Sequence, residues 1–179
     1  RSVNHSDLGV RVLDESGVLA DLDENDRTCI RLAVKYHGIK SLPAVTGSAE
    51  LYCKLIRDAD KVDIYRVVTE CYAQYRDNPK EFKLEIEVPD EPGYSLAVVE
   101  AVLQGRPVDY LMLTTWNDMK ILQLGWVYDI NFTPALERIR QAGYLEKMLH
   151  FLPDDETIRH VLETVTKYAD ARIAAQKRA

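Results

Sequence analysis

Apolar residues recur along this chain at spacings of three and four, the period of a helix with one buried face. The clearest case lies near the end. Ile158, Val161, Leu162, Val165, Tyr168 and Ala169 form a full stripe, and Asp154, just after Pro153, is placed to cap it. The basic tail over 176–179 reads as a frayed helix end. At the other end, Leu8, Val12 and Leu13 begin a helical pattern that Gly9 interrupts and Gly17 ends. Asp23 caps a second helix, in which Ile30, Ala33, Val34 and His37 share a face, so His37 points coreward from the last turn before Gly38 and Pro43. A third helix runs over about 48–75. Its apolar face carries Leu51, Leu55, Ala59 and Val62, flanked by Ile56 and Val67. Helical patterns then occupy 95–104, 110–128 and 134–152. One segment departs from the period: Phe82, Leu84, Ile86 and Val88 alternate with charge, as in a strand. No second strand pattern exists to pair with it, so it reads as an extended connection or a short edge. The pattern predicts one all-α domain, with a subdivision near residue 90.

Composition narrows the function. The chain has 179 residues, 46% hydrophobic and 29% charged, which is the balance of a soluble globular domain. A net charge of -6 argues against nonspecific binding to nucleic acid or anionic lipid, which needs a basic face. A small anionic substrate stays compatible, because a bound cation inverts the local field. No apolar run approaches the ~20 residues of a membrane span, and no signal peptide is visible. Cys29, Cys53 and Cys71 are widely spaced and make no zinc-ribbon pattern. They are expected to be free core thiols in a cytoplasmic protein. The chain opens at Arg1, almost within a helical pattern, as a trimmed chain or a piece of a longer polypeptide would. No phosphate-binding glycine loop and no GxSxG motif occurs. Trp116 and Trp126 are expected to pack helices rather than stack bases.

The unusual chemistry lies in 57–63, Arg-Asp-Ala-Asp-Lys-Val-Asp, where three carboxylates fall within six positions of a helix. Acids are rarely buried unless paired or bound to metal. On the helical wheel Asp60 and Asp63 neighbour each other, and Asp58 falls on the opposite flank. Imidazole and carboxylate together suit a divalent ion: Mn, Fe, Co, Ni, Mg or Zn. Such an ion polarises a phosphoryl oxygen and lowers the pKa of a water bound to it. Asp60 is the first ligand candidate, His37 the second and His5 a third, while Arg57 and Lys61, with Lys35 and Lys40, are placed to contact phosphate. Each has a plainer reading: a structural histidine, an ion-paired acid, a solvated lysine.

These residues carry a resemblance. The block 33–37, Ala-Val-Lys-Tyr-His, then Leu42-Pro43, then Leu55 to Ile64 through Arg57, Asp58, Asp60, Lys61 and Asp63, resembles the HD-domain superfamily of metal-dependent phosphohydrolases. The segment Asn4-His5-Ser6-Asp7-Leu8-Gly9 also fits that family, over residues 2–68 in all, with looser likeness at 114–118 and 125–132. The resemblance implies an HD-like helical bundle whose metal is held by an upstream His, an adjacent His-Asp pair and a later Asp. Asp60 matches that Asp. His5 and His37 match positions that in some members bind a second metal or the substrate phosphate. No His-Asp dipeptide occurs in this sequence, and in the family that pair would precede Arg1. The expected activity is hydrolysis of a nucleotide or other small phosphoester, with His37 and Asp60 catalytic, His5, Arg57 and Lys61 on the substrate, and an oligomer compatible with the sequence. The alternative is a degenerate, inactive HD-like module used for ligand binding or assembly.

Overall fold

Helices form wherever caps and periodicity agree. The structure is a computed structural model that describes residues 4–80 and 88–178. Its helices are α1 (His5–Ser16), α2 (Glu24–Tyr36), α3 (Ser48–Asp77), α4 (Leu96–Leu103), α5 (Trp116–Gly125), α6 (Thr133–Gln141), α7 (Tyr144–Leu149) and α8 (Glu156–Gln176). No strand occurs among the described residues, so the fold is all-α; most of the alternating segment at 82–88 lies outside them. The chain divides into two compact units, residues 1–60 and 61–179.

In the first unit α1 packs on α2. Asn4 caps α1 by accepting from the amides of Ser6 and Asp7, and Asp23 caps α2 by accepting from Asp26. Gly9 does not interrupt α1 but lies inside it, and the reason is close approach. A Cβ there would meet Val34 Cγ1 of α2 at 2.9 Å. Arg31 of α2 pairs with Asp14 of α1 at 2.6 Å. The interior of this unit is thin: among its described residues, Ser6, Cys29, Ala33, Cys53, Arg57 and Asp58 are buried.

The second unit has the large core. Tyr65 and Tyr72 of α3, Val98, Val99 and Val102 of α4, and Ile121, Leu122 and Leu124 of α5 join α6, α7 and α8 in one apolar cluster. α8 packs against α4, α5, α6 and α7. Its stripe Ile158, Val161, Val165 and Ala169 is fully buried, as periodicity predicts. Its cap is Asp155, which accepts from the Ile158 amide at 2.9 Å, while Asp154 pairs with Arg159 instead.

Two long helical patterns are broken. The 110–128 pattern gives a 3-10 turn at Tyr110–Met112, then extended backbone, then α5. Thr115 and Asp118 close a capping box there and start a new helix. The 134–152 pattern is split between α6 and α7 by Gly143, whose φ of 64° is a left-handed conformation that ends a helix and suits glycine.

The largest correction concerns α3. Leu51 (48% exposed), Leu55 (49%), Ile56 and Ala59 face solvent; Val62 is half-buried against the second unit's core. The buried face is Cys53, Arg57, Asp58, Lys61, Tyr65, Thr69 and Tyr72. Several of these polar groups find partners, two of them on buried Gln123 and one on exposed Asp129. Tyr65 Oη donates to Gln123 O at 2.6 Å, Tyr72 Oη to Gln123 Oε1 at 3.1 Å, and Lys61 Nζ pairs with Asp129 at 2.8 Å. A buried polar face is tolerated when it is hydrogen-bonded.

Candidate functional site

Two histidines separated by 32 positions meet in the first unit. His5 opens α1, held by the Asn4 cap, and His37 is the C-cap of α2. Their Nε2 atoms lie 2.9 Å apart, with ring centroids at 4.9 Å and planes at 65°. His37 Nδ1 lies 2.7 Å from Val34 O. A carbonyl only accepts, so Nδ1 carries a hydrogen and the Nε2 of neutral His37 presents its lone pair toward His5. Ser6 Oγ lies 3.5 Å from the same Nδ1. Gly38 backs the pair: a Cβ there would lie 3.4 Å from His5 Nε2. His5 is exposed and His37 half-buried, so the pair opens to solvent.

Arg57 is placed behind this pair rather than in front of it. It is 2% exposed, and its Nη1 donates to the carbonyls of Tyr36 (3.2 Å), His37 (3.3 Å) and Ile39 (2.7 Å). These are carbonyls at and beyond the end of α2, which lack helical partners. Lys61 is also buried and engaged with Asp129. Asp60 is half-buried, Asp63 is exposed and paired with Arg66 at 2.9 Å, and Asp58 is the acid that is fully inside. Lys35 and Lys40 are exposed. His150 and His160 are exposed and far along the chain. Burial pushes the Cys53 thiol above its ordinary pKa, opposed by the nearby Arg57 charge and reinforced by Cys29. That thiol is not a poised nucleophile.

The imidazole pair fits part of a metal centre. Two nitrogens each about 2.1 Å from an ion lie about 3.4 Å apart at the tetrahedral angle usual for zinc and about 3.0 Å apart at the right angle of octahedral coordination. The His5–His37 spacing matches the latter, and the tautomer leaves the His37 nitrogen ready to ligate. Among the described residues, however, no group of three or more His, Cys, Asp or Glu side chains is gathered to hold an ion, so Asp60 does not join the two histidines. The structure thus brings His5 and His37 together, puts Arg57 on the backbone behind them, and leaves Asp60 outside any group of three ligands among the described residues, while Lys61 belongs to the second unit.

Sequence reading missed Gly9, Val34 and Gly38 as parts of this site. The signals were present: Gly9 lies one turn after His5, Val34 three residues before His37, and Gly38 directly after it. No helix among the described residues is long and apolar enough to cross a membrane. No protein-family model, curated protein or solved structure matches the chain.

Proposed function

We propose that this protein is an HD-type metal-dependent phosphohydrolase of the cytoplasm, acting on a nucleotide or another small phosphoester. The observation that supports this reading is the close approach of the His5 and His37 Nε2 atoms at a solvent-open edge. In the proposal His5 and His37 hold a divalent ion or the substrate phosphate, and Asp60 serves as the ligand that the resemblance assigns to it. The ion would supply Lewis-acid polarisation of a phosphoryl oxygen. His37 keeps its Nδ1 hydrogen on Val34 O and so offers one fixed Nε2 lone pair, to which the Nε2–H of His5 donates when no ion is held there.

The test is metal content and phosphoester hydrolysis of the purified protein with Mn, Mg, Ni or Co, for the native chain and for Asp60→Ala and His37→Ala. The expected result is loss of bound metal and of activity in both variants, with helical circular dichroism retained. Unchanged metal stoichiometry in Asp60→Ala removes Asp60 from the site, and unchanged stoichiometry in both variants overturns the proposal.

A second reading has its own observation. Leu8 and Val12 of α1 and Leu51, Leu55 and Ile56 of α3 are exposed apolar residues in a unit that buries few. Exposed apolar residues mark a site of association where they form a contiguous patch. This favours a non-enzymatic HD-like module, which predicts no hydrolysis with any of these metals and no functional loss on His37→Ala.

A further inference from the structure

From the packing around the imidazole pair we infer that Gly9 and Arg57 are positioning residues, which together set the 2.9 Å approach of His5 to His37; the metal part of this inference rests on the reading above. Neither residue touches the Nε2 atoms. Each fixes one of the two bodies that carry them.

Gly9 sets the helix spacing. It lies one turn beyond His5 on α1, and Val34 lies three residues before His37 on α2. A single methyl at position 9 would meet Val34 Cγ1 at 2.9 Å, closer than carbon atoms pack. Only a glycine lets the two helices come this near. Glycine inside a helix costs about 1 kcal/mol relative to alanine. The chain therefore carries an intrinsic helix penalty at the position that governs the imidazole distance.

Arg57 sets the turn. α2 ends without a left-handed glycine, since its C-cap is His37 in the right-handed helical region and Gly38 has no positive φ. A buried guanidinium from α3, 20 residues downstream, closes it instead by donating to the carbonyls of Tyr36, His37 and Ile39. A cation at a helix C-terminus is also favoured by the helix dipole. Charge-assisted bonds are the stronger kind. With Val34 O holding the ring and Arg57 holding the backbone, His37 has one orientation. Val34 O, the partner of the ring's other nitrogen, is the kind of contact that typically contributes ten- to a hundred-fold to metal affinity.

The experiment uses the whole chain, native and as Gly9→Ala, Arg57→Met and Arg57→Lys. It reads the nuclear Overhauser contact between the two imidazole rings, the affinity for Zn²⁺ by calorimetry, and thermal melting by circular dichroism. Gly9→Ala is expected to melt no lower than the native protein by more than a few degrees, yet to weaken the ring contact and lower Zn²⁺ affinity at least ten-fold. A purely structural glycine would move melting and affinity together. Arg57→Met is expected to lose the ring contact, and Arg57→Lys, which keeps the charge without the planar fork, to fall between. If Arg57→Met does not fold, Arg57→Lys and Gly9→Ala decide. Native ring contact and native Zn²⁺ affinity in Gly9→Ala and in the folded Arg57 variants would overturn the inference. If the native chain binds no Zn²⁺ but its ring contact still depends on Gly9 and Arg57, the positioning stands and the metal reading fails. If Zn²⁺ binding needs His5 and His37 but ignores Gly9 and Arg57, the metal reading stands and the positioning fails.

Discussion

Replacing Asp118 by Ala should cost the second unit about 3 kcal/mol, because one carboxylate there gathers five donors. Asp118 is 0% exposed. It accepts from the Ser95 amide (2.6 Å), Ser95 Oγ (2.8 Å), the Thr114 amide (2.8 Å), Thr114 Oγ1 (2.9 Å) and the Thr115 amide (3.2 Å). The two hydroxyls can rotate to water, but the three amides are fixed by backbone. Leaving each unpaired costs at least roughly 1 kcal/mol, which gives the total of about 3. In a unit of this size the melting temperature should drop by roughly 10 °C. Burial alone would raise the carboxyl pKa, yet the bonds from Ser95 and Thr114 outweigh it and the pKa is lowered. A lowered folded pKa means that the ionised group stabilises the fold above its unfolded pKa of about 3.9. That contribution is lost as pH falls through the folded value. Circular dichroism melts of the native protein and Asp118→Ala at neutral pH, repeated down an acid series, measure both effects. The native protein should lose stability below about pH 4 more steeply than the variant. A variant that melts within about 3 °C of the native protein at neutral pH would refute the reasoning.

Two further outcomes follow from burial. Lys120 is buried, donates to Asn117 Oδ1 (3.0 Å) and Phe151 O (2.8 Å), and has its pKa lowered by desolvation against the opposing pull of Asp90. The unfolded chain then holds the proton more tightly, so stability should rise with pH between the folded value and the unfolded value of about 10.4; urea titrations at alkaline pH should show that rise reduced in Lys120→Met, and an identical slope would contradict it. Leu55→Gln should change stability by no more than about 0.5 kcal/mol, as at an exposed site, and a loss above about 2 kcal/mol in urea unfolding would show that the residue is covered.

Much of the fold was legible because caps and stripes coincide. Asp23 and the apolar run of α8 announce their helices in sequence, and both behave as read, apart from a one-residue shift of the cap from Asp154 to Asp155. The breaks at Thr115 and Gly143 were less visible, since apolar periodicity runs straight through them. Both carried a chemical signature: Thr115 followed three residues later by Asp118, and Ala142-Gly143 between apolar runs. Gly9 misled in the opposite direction. In isolation it weakens a helix, but tertiary contact with Val34 repays that weakness by allowing a closer packing than any other residue permits.

α3 shows where periodicity stops informing. Its wheel identifies which face is apolar, and nothing in the wheel says which face is covered. Lys61, Arg57 and Tyr65 lie inward because each is long enough to reach a carbonyl or carboxylate on another element, and each bond recovers what burial of a polar group costs. That reversal bears on the site. Had the leucine face been inward, Arg57 would point away from the end of α2, and the carbonyls of Tyr36, His37 and Ile39 would need other donors. With the polar face inward, the same guanidinium that breaks the apolar rule holds the turn that presents His37 to His5. The first residue of the cluster 57–63, Arg57, connects it to the backbone of His37.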